Sequence, residues 1–278
     1  MTDWQERITR DTRPAIRVEH QLRYAAAAPI VAAAPVWCDL GCGSGIAAAD
    51  ALGAAELGRV VLVDTDEGAL ETAGRELRAR EVQRIVADLA TEEGVRAARA
   101  AIGAEPATVT CFEVIEHLTD FVPLVDALVE LAGEGGTVVL SVPNDAFWAL
   151  ENPYHHTMWG EGAFEELRRL LPEGAVVAHQ VPLAASHIAL QDGAVRVDVP
   201  PIEVRADAVP SHFLCAFGAH ADLLTSRALA HPADLDGQRR WERQRESNMA
   251  LMENEIAELR QWVADLEAKL AERRAAQA

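Results

Sequence analysis

Between Pro14 and Val142 short apolar runs alternate with alanine-rich amphipathic stretches. No other feature restricts the fold as much. A helix is expected over 14–34, with Pro14 suited to its first turn and alanines favouring its interior. The run Val36-Trp-Cys-Asp-Leu40 then reads as a strand. Helices follow over about 44–57, 67–79, 91–102 and 121–132. Between them stand the strands Arg59–Val63, Val82–Val86, Thr108–Phe112 and Thr137–Val142. Strands alternating with helices of about a dozen residues imply βαβ units and a parallel sheet. Nearly continuous apolar runs suit a sheet covered on both faces. The expected class is α/β, a doubly wound, mostly parallel, Rossmann-like sheet.

Beyond Pro143 the pattern changes. A helix is expected over 162–171 and strands over 175–181 and 211–217. The Pro- and Val-rich stretch 182–210 reads as a lid or hairpin insertion. The organisation that follows is an N-terminal helical segment (1–34), a catalytic domain (35–220), a linker (221–237) and a charged helix (238–274). In that last stretch Met249, Met252, Ile256, Leu259, Val263, Leu266 and Leu270 form a heptad seam. β-branched residues at a with Leu at d favour a parallel two-stranded coil, so a homodimer is expected. Trp262 beside the seam also fits a single helix folded back on its own domain.

In a doubly wound sheet, ligands bind beyond the carboxyl ends of the strands. Asp39, Asp64, Asp88 and Glu113 all fall there. The first strand runs into Asp39-Leu-Gly41-Cys42-Gly43-Ser-Gly45-Ile46. This loop lacks the third glycine of a dinucleotide fingerprint, which would stand at position 46. The preceding acid would repel a pyrophosphate and suits a cofactor with a positive end. Asp64 is placed to take the two hydroxyls of a ribose, and Asp88 to accept from an adenine amino group. Three acids at successive strand ends after a glycine loop describe an adenosine site.

These pieces, together with Phe112-Glu-Val-Ile-Glu-His-Leu118 and Gly135-Gly-Thr-Val-Val-Leu-Ser-Val-Pro-Asn144, resemble the class I S-adenosylmethionine-dependent methyltransferases in order and spacing. The resemblance covers about residues 14–218. It implies that Asp39 and the loop residues Gly41, Cys42, Gly43 and Gly45 hold the methionine part. Asp64 would hold the ribose, and Asp88 and Leu89 would flank the adenine, with Thr65 and Glu113 as further cofactor-binding candidates. Ala107 stands where the family usually opens its fourth strand with Asp.

Methyl transfer to a hydroxyl needs a base, and histidine titrates in the right range. His117 follows the fourth strand, with Glu116 beside it to orient it, and is the expected base. His155, in Asn152-Pro-Tyr-His-His-Thr-Met-Trp159, is expected near the acceptor. No metal is expected. The alternative is a divalent ion such as Mg2+ on Glu113, Glu116, His117 and His155, a set that resembles small-RNA 2′-O-methyltransferases. On the N-terminal helix His20, Arg23 and Tyr24 are candidates to line the cofactor or the acceptor.

A net charge of −19 argues against nucleic-acid binding, which relies on Lys and Arg. Cys38, Cys42, Cys111 and Cys215 form no C-x-x-C pair, so zinc is not expected and reduced, cytoplasmic thiols are. No apolar run is long enough to cross a membrane, and the first residues do not read as a secretory signal. The expected function is O-methylation of a small polar acceptor such as a sugar, glycoside or secondary metabolite. N-methylation of an amino sugar stands close to it. The alternatives are an RNA 2′-O-methyltransferase and a catalytically silent methyltransferase-like assembly domain.

Overall fold

The computed structural model describes residues 8–53, 56–148, 152–182 and 208–229, together with Ile256, Leu259, Arg260, Trp262 and Val263. The chain divides into two compact units, Met1–Ala230 and His231–Ala278. In the first, α1 (Pro14–Ala33), β1 (Val36–Leu40), α2 (Ile46–Leu52), β2 (Leu57–Asp64), α3 (Glu67–Glu76) and β3 (Ala79–Val86) lead into α4 (Glu92–Ile102). Then come β4 (Ala107–Phe112), a 3-10 turn (Ile115–His117), α5 (Val122–Gly133), β5 (Thr137–Pro143), α6 (Asp145–Trp148), α7 (Glu161–Leu170), β6 (Val176–Gln180) and β7 (His212–Gly218).

The strands form one seven-stranded sheet in the order β3-β2-β1-β4-β5-β7-β6. The first five are parallel, and β7 runs antiparallel to both β5 and β6. The strand order reverses between β1 and β4, which places a crevice at their carboxyl ends.

The period-two alternation of side chains sorts each strand between two cores. Val36, Cys38 and Leu40 join Val109, Cys111, Val138 and Leu140 beneath α4, α5 and α7. Trp37, Val60, Leu62 and Val139 face the opposite core, with Ile30 of α1, Ala48 of α2 and Leu70 of α3. The Trp37 indole donates to Thr110 Oγ1 at 2.8 Å, and Thr108 Oγ1 donates to the Ile30 carbonyl at 3.0 Å. The second core is thereby pinned to β4, which carries part of the site.

Several boundaries differ from the sequence expectation. Helix α2 ends at Leu52 instead of near 57, because Gly53 turns to φ +60 and its N–H closes on the Ala49 carbonyl. Strand β2 therefore starts at Leu57. Helix α3 stops at Glu76, and β3 begins at Ala79, where it pairs with Leu57. The Arg- and Glu-rich start of β3 conceals a strand because β3 lies at the sheet edge and is half exposed. It and the opposite edge strand β6 depart from the expectation that the strands are covered on both faces.

Most of the lid expected over 182–210 and most of the seam over 238–274 lie outside the described residues, as do positions 230–237 of the linker. In the second unit Ile256, Leu259, Arg260, Trp262 and Val263 are helical, and all five are exposed. Among the described residues, no helix is long and apolar enough to cross a membrane.

Candidate functional site

The loop after β1 is drawn across the end of β2. The amides of Gly41 and Cys42 donate to the Val63 carbonyl at 2.8 and 3.1 Å, and the Gly43 amide donates to Asp64 Oδ2 at 2.9 Å. Gly41 and Gly45 both hold φ +68. A Cβ on Gly41 would stand 2.4 Å from Val114 Cγ2, and one on Gly45 would stand 2.8 Å from Ala73 Cβ. Both positions thus demand glycine twice, by conformation and by space. Gly43 has nothing within 4 Å where its Cβ would be, and it borders the cavity.

That cavity has a volume of about 310 Å³. One wall is Gly41, Cys42, Gly43 and Gly45 with Asp64 and Thr65. Asp88 and Leu89 form a second, and Glu113 and His117 a third. His20 and Tyr24 of α1 complete it. The strand-end residues expected at an adenosine site are therefore brought to one space. Asp64 is buried, and its second oxygen accepts from the Asp66 amide at 2.9 Å. Both oxygens are thus oriented by backbone amides.

Asp39, Glu116 and His155 do not line this cavity. Asp39 is fully buried. It accepts from Tyr24 Oη at 2.9 Å and Thr110 Oγ1 at 2.6 Å. Tyr24, which does line the cavity, connects it to the site. Burial pushes the Asp39 carboxyl up to about 7, against the two hydrogen bonds that pull it down. A positive group bound nearby would favour its ionised form.

Beyond the cofactor wall lies a second cluster. Glu113 has φ +55, the one positive φ among described non-glycine residues. Such strain persists where the surroundings hold it, commonly at functional sites. Its oxygens accept from Ser141 Oγ at 2.8 Å and face His212 Nε2 at 3.3 Å. Burial pushes its carboxyl up, but Arg23 and His212 outweigh burial and hold it well below the usual range. Glu116 goes the other way. Burial, then the charge of Glu113, raises its carboxyl, and its Oε2 is buried without a hydrogen-bond partner. Two carboxyls pushed apart in this way are the mark of a site that handles protons or cations.

His117 Nδ1 lies 3.1 Å from the Tyr154 carbonyl. A carbonyl only accepts, so Nδ1 carries a proton. His155 packs edge-on to it, ring centroids 5.2 Å apart. Glu116, His117 and His155 each offer a ligand atom, and these atoms lie within 4.8 Å of one another. Of the four residues in the ion alternative, Glu113 is outside this group, engaged by Ser141 and His212. His20, buried and beside Arg23, is lowered to about 3 and stays neutral. It meets Arg23 Nη2 through Nδ1 at 2.9 Å, while Arg23 Nη1 donates to Gln180 Oε1 at 3.1 Å.

Four participants were not anticipated from sequence: Ser141, Asp145, the Tyr154 carbonyl and His212. Asp145 could have been suspected, since it follows β5 directly in Pro143-Asn-Asp145. His212 carries no such signal, because only the antiparallel return of β7 beside β5 brings it to Glu113.

A family model described as a methyltransferase domain matches residues 18–162. No curated protein matches the chain. Among solved structures, the chain is similar to the methyltransferase domain of a bacterial Hen1, CtHen1, with 22% identity and a TM-score of 0.46 over 72% of this chain and 100% of that one. It is similar to NcsB1, an O-methyltransferase of neocarzinostatin biosynthesis solved with S-adenosylmethionine and 2-hydroxy-5-methyl naphthoic acid. There the identity is 17% and the TM-score 0.42, over 70% of this chain and 51% of that one. It is also similar to an S-adenosylmethionine-dependent methyltransferase from Anabaena variabilis, at 19% identity and TM-score 0.42, over 66% and 76% of the two chains.

Proposed function

Because this chain belongs to the class I S-adenosylmethionine-dependent methyltransferase family, we propose that it methylates a hydroxyl of a small polar acceptor such as a sugar, a glycoside or another secondary metabolite. The observation that carries this reading is His117 on the cavity wall with its Nδ1 proton committed to Tyr154. In this reading Nε2 serves as the base toward an acceptor hydroxyl.

In the proposed complex the glycine loop cradles the methionine part of S-adenosylmethionine. Asp64, assisted by Thr65, takes the ribose, and Asp88 and Leu89 flank the adenine. Bound there, the cofactor would supply an already activated methyl group, with Glu113 and His117 on the wall of the same cavity. The acceptor hydroxyl would have to lose its proton as it takes up that methyl. His117 Nε2 takes the hydroxyl proton and later passes it to solvent. Positioning supplies much of the acceleration, since the cofactor is already activated. An acidic chain with reduced thiols suits a cytoplasmic metabolite better than a polyanion.

A second reading, cation-assisted 2′-O-methylation of RNA, draws support from the Glu116–His117–His155 group. The unpartnered Oε2 of Glu116 and two imidazoles within 4.8 Å fit a divalent ion. Held there, Mg2+ would lower the pKa of a bound hydroxyl. The heptad seam further supports self-association through the C-terminal helix, where Ile256, Leu259 and Val263 are exposed.

Transfer of a radiolabelled methyl group from S-adenosylmethionine to a panel of sugars, glycosides, phenols and short RNAs, with and without chelator, separates these readings. Chelator-insensitive labelling of a small acceptor is the expected result. Labelling of RNA alone, abolished by chelator, would replace it with the second reading.

A further inference from the structure

His155 is held at both ring nitrogens by groups whose roles are fixed independently. Asn152 Oδ1 accepts the Tyr154 amide proton at 3.0 Å. The Asn152 carboxamide therefore turns its Nδ2 toward His155 Nε2, 3.0 Å away. An NH₂ group only donates, so Nε2 must carry a lone pair. At the other nitrogen, Asp145 Oδ1 lies 2.8 Å from Nδ1, and a carboxylate only accepts, so Nδ1 must carry the proton. The two constraints agree on one neutral tautomer. Asp145 itself is 5% exposed and cannot swing away. Its Oδ2 accepts the Trp159 amide at 2.6 Å, and its own amide donates to the Trp159 carbonyl at 2.9 Å.

We propose that Asp145 is a positioning residue that holds His155 in the Nδ1–H tautomer, so that its Nε2 lone pair serves the group formed with Glu116 and His117 at the acceptor side of the site. This rests on the reading that His117 and its neighbours face the reacting hydroxyl. His117 is locked in the same tautomer by the Tyr154 carbonyl, so the segment 145–155 sets both imidazoles alike. Asn152 occupies the His155 lone pair in the resting state and gives way to whatever the group binds. A carboxylate behind a histidine fixes its tautomer and raises its basicity, and loss of such a partner typically lowers activity or ion affinity 10–100-fold.

The chemistry of Asp145→Asn is specific. The carboxamide has one acceptor oxygen where Asp145 serves two donors. The Trp159 amide proton cannot move, so that oxygen stays with Trp159 and the NH₂ faces His155 Nδ1. The imidazole proton must then shift to Nε2, against the NH₂ of Asn152. In the wild-type full chain, nitrogen-15 NMR of labelled histidine should show His155 protonated at Nδ1 alone. In Asp145→Asn the proton should move to Nε2. Turnover on whichever acceptor is found should fall roughly 10–100-fold with the KM for S-adenosylmethionine unchanged, and Asp145→Glu should restore part of it. A wild-type spectrum showing His155 protonated at Nε2 overturns the proposal even if the variant fails to fold. So does a tautomer switch that leaves turnover unchanged. Absence of any methylated acceptor would strike the O-methylation reading instead, because the wild-type tautomer is read without substrate.

Discussion

The two halves of the strand-end rim are assembled in different ways. On the β1–β2–β3 side, the loop from Gly41 to Gly45, Asp64, Asp88 and Leu89 arrive from consecutive strand ends. Their polar groups are held by nearby backbone, as with the Gly43 and Asp66 amides on Asp64. On the β4–β5–β7 side, side chains hold side chains: Glu113 meets Ser141 and His212 of two other strands, and His155 meets Asp145 and Asn152 after β5. The first half is rigid geometry for a ligand that the whole family shares. The second is a network of charges and tautomers, which the proposed function sets against the acceptor.

If this division holds, damage on the acceptor side should cost turnover and spare cofactor binding. His117→Ala is the sharpest case. Its kcat should fall roughly 10²–10⁴-fold, measured as labelled methyl transfer, while cofactor affinity stays near normal. A loss below about threefold would make His117 structural.

Asp39 connects the halves through Tyr24. Its folded pKa, about 7, lies above its ordinary value of 3.8. The stabilisation is therefore fully present below about pH 4 and is lost as pH rises through 7. Between pH 4 and 8 this group should remove on the order of 4 kcal/mol of stability. Urea unfolding of wild type against Asp39→Asn should show the difference between them shrinking by about that amount as pH rises. A constant difference would mean that Asp39 is ionised throughout.

Gly45→Ala should destabilise the cofactor side by about 1–3 kcal/mol, because a left-handed residue there would press on Ala73. Thermal unfolding would measure it, and an unchanged midpoint would show that the loop relaxes freely. Removing the chain after Asp236 should leave the catalytic unit folded and convert a dimer to a monomer by light scattering. Two monomers would rule out the coil.

The same division explains what could be read in the sequence. The strands β1, β4 and β5 are legible because apolar residues dominate them, as full burial requires. The glycine loop and Asp64 were legible because a loop between adjacent strand ends leaves few places for its residues. Strand β3 began three residues early because an edge strand tolerates Arg80 and Glu81 facing solvent. The Asp145–His155 pair and the His212–Glu113 pair were not legible, because each depends on how β7 and the segment after β5 return to the sheet. Asp39 was read as a cofactor contact. Its place beneath Tyr24 depends on α1 packing over β1, which spacing along the chain does not reveal.

In the proposed function one rim binds the cofactor and the other performs the chemistry. Calorimetry with S-adenosylhomocysteine on Asp64→Ala and His117→Ala tests it most directly. Loss of the Asp64 carboxylate should cost about 2–4 kcal/mol of affinity, and loss of His117 should cost almost none. Unchanged affinity in a folded Asp64→Ala, or a comparable loss in His117→Ala, would contradict the account.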